Sequence, residues 1–249
     1  MKPVLRSAIV LSLIVLFAHC EKEEISSNLS NLNEPYFTIT DRAFFDALIE
    51  EGVDTDGDGL ISNSEAEAID SLYVAGGYSM SGTFRIGIKD LTGIEAFINL
   101  ESLKCYDNYL TSLDLSNCVK LRELRCYNNL LTSLDISGCN SLRIVDCEHQ
   151  QILRLDVSDC VSLKDLACEG NHLTSLNISK NTVLEALDCG LNPISFLDIS
   201  ENELLKVLRI DNMSLLNKVC VWELPFPPAG VDLNKTDSPN VYFTTECSD

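Results

Sequence analysis

The sequence predicts an α+β fold in which about six repeats of 21 residues stack into a solenoid with a parallel β-sheet. A helical cap precedes the repeats and a short cap follows them. Three observations carry this prediction: leucines recur every 21 residues, an acidic loop lies between two apolar stripes of helical spacing, and the period ends near residue 219. One repeat cannot bury its own apolar face, so neighbours must stack and share a core. The leucines that open the repeats are Leu100, Leu121, Leu142, Leu163, Leu184 and Leu205.

Residues 1–19 have the pattern of a secretory signal peptide, because Lys2 and Arg6 precede a short apolar run. A membrane-spanning helix would need roughly 20 apolar residues. Cys20 closes the run and resembles the lipidated cysteine of bacterial lipoproteins, although His19 stands where those signals usually hold Gly, Ala or Ser. The alternative is ordinary secretion with a chance cysteine.

Residues 20–36 are predicted to form a lipidated tether, since they have no apolar periodicity. The lysine and two acids that begin at Lys22 resemble the signal that sends some Gram-negative lipoproteins to the outer cell surface. This resemblance implies an exported outer-membrane lipoprotein that is exposed at the surface. A solvated charged linker is the alternative, and a periplasmic orientation stays open.

Residues 37–76 are predicted to form a helical cap around a calcium site. The segment DTDGDGLISNSE matches the EF-hand loop at every key position. Hard oxygen ligands in this number suit Ca²⁺ better than Mg²⁺. The alternative is an acidic, glycine-rich turn that binds nothing. The expected ligands are the side chains of Asp54, Asp56, Asp58 and Ser62, the backbone carbonyl of Leu60, and both carboxylate oxygens of Glu65.

Apolar residues at helical spacing flank this loop on both sides. We expect a helix before it, capped by Thr40 or Asp41, and a second helix after it that ends at Gly76-Gly77. The upstream stripe comprises Phe44, Phe45, Leu48 and Ile49, and the downstream stripe comprises Ala66, Ile69, Leu72 and Tyr73.

Residues 100–219 carry the repeats, whose template is L-x-x-L-x-C-x-x-N-x-L-x-x-L-D-φ-S, with φ aliphatic. The alternation of Leu103 and Cys105 has period two, which is typical of a strand. The template resembles the leucine-rich repeat family, whose diagnostic segment is LxxLxLxxNxL, with cysteine at the third apolar site. Residues 77–99 are predicted to be a linker and a degenerate opening repeat similar to that of internalin-like bacterial members. In those proteins a helical cap related to an EF-hand covers the first repeat, which implies a structural role for calcium here.

Polar residues and cysteines recur in the same register. The turn asparagines Asn108, Asn129, Asn171 and Asn192 are expected to hydrogen-bond unpaired backbone groups, with Gln150 and Met213 replacing Asn in two copies. Eight of the eleven cysteines form two ladders, which we interpret as core packing; some rungs could oxidise, and no zinc spacing is present. The members of the ladders are Cys105, Cys126, Cys147, Cys168 and Cys189, then Cys118, Cys139 and Cys160.

Residues 220–249 are predicted to be a C-terminal cap, because prolines replace the period. The segment resembles the cysteine-bracketed tail that closes some bacterial repeat proteins, and this resemblance implies a disulfide between Cys220 and Cys247. An exported compartment permits such a bond.

The exposed concave face of the sheet is the expected binding surface. Exposed Tyr and Arg are common contact anchors, so the first repeats are the predicted contact centre. The expected partner is a protein; the alternatives are a glycan stacked on the tyrosines, or a merely solvated face. Catalysis has little support, since His149 and His172 occupy different repeat positions without a nucleophile beside them. The predicted ligand-binding residues are Lys104, Tyr106, Arg125, Tyr127, Glu148 and His149.

Net charge argues against two classes of partner. The chain has a formal charge of −20, and loss of residues 1–19 would leave 16 basic against 38 acidic residues. Such acidity disfavours binding to nucleic acid or to anionic lipid.

Overall fold

The computed structural model describes residues 36–78, 84–85 and 87–247. The predicted signal peptide, Cys20 and the tether up to residue 35 lie outside the described residues. The N-terminal elements are α1 (Arg42–Glu50), α2 (Asn63–Glu67), β1 (Ser71–Tyr73), β2 (Gly77–Tyr78), β3 (Phe84–Arg85) and a 3₁₀ helix (Ile94–Ala96). The strands that follow are β4 (Ser102–Lys104), β5 (Ser112–Asp114), β6 (Glu123–Arg125), β7 (Ser133–Asp135), β8 (Ile144–Asp146), β9 (Asp165–Ala167), β10 (Ala186–Asp188), β11 (Phe196–Asp198), β12 (Val207–Arg209), β13 (Lys218–Cys220), β14 (Asp232–Asn234) and β15 (Tyr242–Thr244).

Eight parallel strands form the main sheet, in the order β1-β4-β6-β8-β9-β10-β12-β14. The strands from β4 to β12 pair at intervals of 21 residues, so equivalent side chains lie on neighbouring rungs. Leu103, Leu124 and Leu166 align as predicted, with Val145 between the last two, and all are fully buried. The predicted solenoid with a parallel sheet is therefore confirmed.

Smaller parallel sheets carry the same register through the second half of the first, second, fifth and sixth repeats. Leu113 of β5 pairs with Leu134 of β7, and β11, β13 and β15 form a three-stranded sheet. The central residues of β5, β7, β11 and β13 point into one continuous core that also receives the cysteines. Each repeat therefore buries two apolar rows against its neighbours, which is why no repeat is stable alone.

The main sheet is longer than the six predicted repeats. Strand β1 lies inside residues 37–76 and β14 inside residues 220–249, segments that the sequence assigned to caps. Both ends of the array expose unpaired backbone groups, and these two strands pair with them. Each predicted cap thus contributes a rung to the solenoid.

The predicted second helix is too long. Helix α2 ends at Glu67, and Leu72 and Tyr73 belong to β1 instead of a helical stripe. The backbone of this segment bonds to the first repeat, where Gly76 N donates to Tyr106 O at 2.8 Å. A Cβ at Gly76 would lie 1.7 Å from Asp107 O, so this glycine permits close backbone approach and does not end a helix.

The upstream helix begins where the sequence predicts it. Asp41 caps α1, and its Oδ1 accepts hydrogen bonds from Ala43 N at 2.7 Å and Phe44 N at 3.1 Å. Phe44 and Leu48 are fully buried against the core, whereas Ile49 is exposed. The stripe therefore holds the helix against the first turns of the solenoid.

The turn asparagines are buried and bonded as predicted. Asn129 Nδ2 donates to Cys126 O at 2.8 Å in its own turn and to Cys105 O at 3.0 Å in the preceding turn. Its Oδ1 accepts from Leu110 N at 3.0 Å. Gln150 substitutes in part, because its Nε2 donates to Cys126 O and its Oε1 accepts from Leu131 N.

The C-terminal turn uses a different polar residue. Met213 offers no amide, and the buried Ser238 donates from its Oγ to Ile210 O at 2.7 Å and accepts from Met213 N at 2.9 Å. Cys220 and Cys247 form a disulfide, with their Cα atoms 5.4 Å apart. Together these contacts hold the last strands over the end of the core.

Candidate functional site

The outward side of the eight-stranded sheet, called here the sheet face, presents the side chains that flank the buried central residues. In each repeat these are the first and third residues of the strand and the second residue after it. The repeat aligns one such row as Tyr106, Tyr127, Glu148 and Glu169, and another as Lys104, Arg125 and Asp146. The sheet face is therefore aromatic and cationic in its first rungs and acidic in its middle rungs.

Three tyrosines form a ladder across the first rungs. The rings of Tyr106 and Tyr127 are stacked, with centroids 4.4 Å apart and planes 7° apart. Tyr73 meets Tyr106 edge-on, at 6.0 Å between centroids, and their hydroxyl oxygens are 2.9 Å apart. We call these three residues the tyrosine ladder. Sequence reasoning missed Tyr73, because it placed this residue on a helix.

Ion pairs hold the cationic side chains beside the tyrosine ladder. Arg125 Nε donates to Glu123 Oε1 at 2.7 Å, and its guanidinium lies 3.5 Å from Asp146 Oδ2. Lys104 Nζ lies 3.8 Å from Glu123 Oε1. The hydrogen bond from Arg125 and the charge of Lys104 hold the pKa of Glu123 below its usual value. These cations are therefore oriented but still partly exposed.

The acidic rungs concentrate negative charge. Burial raises the pKa of Glu148 to about 7, and the charges of Asp146, Asp188 and Glu169 add to the effect. Burial also raises the pKa of Asp188 to about 6. Asp146 Oδ1 is buried without a hydrogen-bond partner among the described residues. This part of the sheet face holds carboxylates that repel one another and would gain from a cation.

The predicted ligand-binding residues fall into two groups. Lys104, Tyr106, Arg125 and Tyr127 lie together on the first two rungs of the repeats. Glu148 and His149 follow on the next rung, where they approach Glu169, which lies one repeat further along the chain.

The loop that the sequence predicts to bind calcium brings three carboxylates together. Carboxylate oxygens of Asp54, Asp56 and Glu65 lie within 4.8 Å of one another. Backbone N–H groups of the loop orient these carboxylates: Gly57 N and Gly59 N donate to the two oxygens of Asp54 at 2.8 and 3.0 Å. Gly59 has a φ of +82°, the left-handed conformation that the sharp turn requires.

The predicted ligand Glu65 is the buried anchor of this loop. Its Oε1 accepts from Thr55 N at 2.7 Å, and its Oε2 accepts from Ser62 N at 2.9 Å, which completes a capping box at the start of α2. Burial raises the pKa of Glu65, but the hydrogen bonds from Ser62 and Thr55 outweigh it and lower the pKa overall. The carboxylate is therefore held in its charged form.

The other predicted ligands line the same loop without joining the three converging carboxylates. Asp58 Oδ1 accepts from Leu60 N at 2.8 Å, and its Oδ2 accepts from the hydroxyl of Tyr36 at 3.1 Å. Ser62 Oγ donates to Glu65 Oε2 at 3.0 Å. Oxygen donors from five side chains thus lie within one loop of 12 residues, and the residues fit a calcium ion.

Comparison with known proteins addresses the fold. The functional domain of InlJ from Listeria monocytogenes, which includes a cysteine ladder, is similar with a TM-score of 0.53 and 26% identity. An internalin C2 from Listeria monocytogenes is similar with a TM-score of 0.58 and 20% identity. The chain has a leucine-rich-repeat fold.

The extent of these matches differs. The InlJ match covers 86% of this chain but 48% of the InlJ chain, so this chain spans about half of that length. The internalin C2 match covers 85% of this chain and 87% of the other. No protein-family model and no curated protein sequence matches this chain.

The lengths and polarity of the helices bear on whether the chain could cross a membrane. Within the described residues, every helix is too short or too polar to cross a bilayer.

Proposed function

We propose that this protein is a non-enzymatic, cell-envelope lipoprotein that binds a protein partner through the sheet face, with the tyrosine ladder as the contact centre. The stacked geometry of Tyr106 and Tyr127 is the observation that carries this proposal. Tyrosines supply large amphipathic contact area, and such residues dominate the energetics of protein interfaces. The leucine-rich-repeat fold supports it, because solenoids bind along their exposed sheets.

The surroundings of the tyrosine ladder match those of an interface. Arg125 and Lys104 are already paired with Glu123. Their side chains therefore lose less conformational entropy when a partner binds. The acidic rungs that follow favour a partner with basic residues opposite Asp146 and Glu148, because complementary charge orients and accelerates association.

A glycan ligand is the alternative, and the ring geometry disfavours it. A sugar that stacks on tyrosine needs an open ring face. One face of Tyr106 is covered by Tyr127 and its other neighbour is the edge of Tyr73. Only the far face of Tyr127 is left for a sugar, so the ladder suits side-chain contact better than a glycan platform.

Calcium is proposed as a structural ion in the cap. Asp54, Asp56 and Glu65 would hold it, with Asp58, Ser62 and the carbonyl of Leu60 as further ligands. When bound, Ca²⁺ offsets the repulsion of the carboxylates and ties α1 to α2 across the loop. Extracellular sites of this kind have dissociation constants on the order of 10⁻⁴–10⁻³ M, which is sufficient outside the cell.

Lipidation of Cys20 is proposed as the membrane anchor, with surface exposure at the outer membrane. The sequence of the N-terminal segment supports this. A C20S variant should leave the membrane fraction when cells are extracted with buffer alone. Protease treatment of intact cells should digest the wild-type chain, and protection would contradict surface display.

The binding proposal is tested by comparing Tyr127→Ala with Tyr242→Ala. Tyr127 is half-buried, whereas Tyr242 is exposed and lies on β15, outside the main sheet. Partners captured by the full chain from the extracellular extract are identified and then titrated individually against each variant. We expect Y127A to weaken a protein partner by about 30-fold, as loss of a hot spot of about 2 kcal/mol would do. Y242A should bind as the wild type does.

Two results would contradict the proposal. Equal binding of the partner by wild type and Y127A would remove the tyrosine ladder from the interface. Saturable binding on a glycan array that is lost in Y127A, without any protein partner, would favour the alternative function.

A further inference from the structure

Two glutamates and a histidine converge on the acidic rungs of the sheet face. One ligand atom from each of Glu148, His149 and Glu169 lies within 4.8 Å of the other two. His149 is exposed and both glutamates are half-buried, so the group is open to solvent. An imidazole nitrogen together with two carboxylates differs from the all-oxygen set of the calcium loop.

The 21-residue register creates this convergence. Glu148 and Glu169 occupy the same position in consecutive repeats, so their side chains lie on neighbouring rungs. His149 bonds directly to the next repeat, since its N–H donates to Glu169 O at 2.8 Å. The two glutamates and the histidine are therefore held by strand pairing, not by a mobile loop.

A glycine makes room for the imidazole. Gly170 is the equivalent of His149 in the next repeat, and a Cβ at this position would lie 2.5 Å from His149 Nδ1. The ring thus rests against the backbone of the neighbouring turn, beside Glu169. His149 itself has a φ of +54°, and Asn128 and Asn212, at the same repeat position, have φ values of +52° and +55°.

The charge around the group is unbalanced. Asp146 lies two residues before Glu148, and Asp165 and Asp188 lie on the next two strands of the same face. Arg125 already contacts Glu123 and Asp146, and Arg209, beside Asp188 on the next strand, already pairs with Asp232. A bound dication would reduce the repulsion among these carboxylates.

We propose that Glu148, His149 and Glu169 form a binding site for a zinc-class transition-metal dication on the sheet face. Zn²⁺ accepts imidazole nitrogen at about 2.0–2.1 Å and carboxylate oxygen at about 2.0–2.2 Å, commonly with four ligands. Ligands of such an ion lie roughly 3.3 Å apart, so small side-chain rotations close the site. Three protein ligands leave one position open toward solvent.

The open coordination position could accept a ligand from another molecule. The site lies on the same sheet face as Tyr127, which is one repeat before Glu148 in the same row. A carboxylate or imidazole of a second molecule could complete the coordination there. The site is nevertheless independent of the proposed binding function, because the metal alone occupies it and its test needs no partner.

Zinc titration of the full chain tests the proposal. The titration is performed by calorimetry in buffer that keeps the calcium loop saturated with Ca²⁺. The decisive pair is His149→Asn and His172→Asn. Asn tolerates the left-handed conformation and already stands at this position in Asn128 and Asn212, so H149N keeps the turn while it removes the imidazole. Cys20 and His19 are common to all variants and cancel in the comparison.

We expect wild type and H172N to bind one more equivalent of zinc than H149N does. In H149N the affinity of this equivalent should fall by more than about 10–100-fold, the loss that even residues outside the coordination shell produce. E148Q and E169Q should weaken the same equivalent. Cobalt in place of zinc should give visible absorption bands in wild type that H149N lacks.

Two glycine substitutions distinguish loss of the metal site from loss of overall stability. Gly170→Ala forces a Cβ against the imidazole, whereas Gly138→Ala has a similar φ of +74° and meets only Ser116 O at 3.9 Å. Both substitutions cost backbone strain, but only G170A should weaken zinc binding. Equal zinc affinity in wild type and H149N, or equal losses in G170A and G138A, would overturn the proposal.

Discussion

The asparagine ladder gives a stability prediction whose size depends on position. Asn129→Ala removes two amide donors, but the carbonyls they serve keep a second partner: Cys105 O still accepts from Asn108, and Cys126 O from Gln150. Only Leu110 N loses its acceptor. One buried orphan costs about 1–3 kcal/mol, and the two lost secondary bonds add roughly 1 kcal/mol, so we expect N129A to cost about 2–4 kcal/mol.

The first asparagine should matter more. Asn108 Nδ2 donates to Val74 O at 2.8 Å, and its Oδ1 accepts from Ile88 N at 2.8 Å. Asn108→Ala therefore orphans a donor and an acceptor, both at the junction of β1 with the repeats. We expect a cost of about 2–6 kcal/mol, since each of the two buried unpaired groups contributes about 1–3 kcal/mol.

Urea unfolding followed by circular dichroism measures both variants, with Asn117→Ala as the matched control. Asn117 is exposed and should change the free energy of unfolding by less than about 0.5 kcal/mol. We expect the loss in free energy of unfolding to be largest for N108A, smaller for N129A and smallest for N117A. This order follows the number of buried groups that each substitution leaves without a hydrogen-bond partner. An equal loss in N108A and N129A would refute the argument that neighbouring amides share the carbonyls.

Three further predictions follow from the caps and the acidic rungs. Removal of Ca²⁺ should lower the melting temperature of the wild type; Glu65→Gln should abolish this response, whereas the exposed Glu67→Gln should keep it. Cys247→Ser opens the loop to Cys220 and should cost about 3–4 kcal/mol under oxidising conditions but nothing under reducing conditions. The pKa of Asp188 is raised to about 6, so its stabilising contribution is complete below about pH 4 and is lost as pH rises through 6. Asp188→Asn should therefore stabilise the protein by roughly 1 kcal/mol at pH 8, after discounting for solvent exposure, and should have no such effect at pH 4; an equal effect at both values would contradict this explanation.

Local patterns predicted the repeating part of the molecule well. The spacing of Leu103 and Leu124 defines both the strand and its neighbour, because every repeat meets a copy of itself. Asn129 could be placed in a buried turn for the same reason. The calcium site stays a prediction, which the sequence allows because the expected ligands lie within 12 consecutive residues.

The ends of the array could not be predicted in the same way. Leu72 and Tyr73 fit a helical stripe after the predicted calcium loop. They form a strand instead, because the edge of β4 has unpaired backbone groups with which they pair. Ser238 replaces the ladder amide at the last turn although the segment around it has no repeat period. Both outcomes depend on unpaired backbone groups that belong to another part of the chain.

The amino-acid sequence by itself determined the solenoid, its register and the buried rows, because a 21-residue period makes each contact a copy of the next. Only the tertiary structure decided which surface residues meet. The stacking of Tyr106 on Tyr127, the approach of Tyr73, and the convergence of Glu148, His149 and Glu169 depend on where side chains point once the rungs are aligned. The physical reason is that burial is periodic along this chain, whereas the chemistry of its exposed face is not.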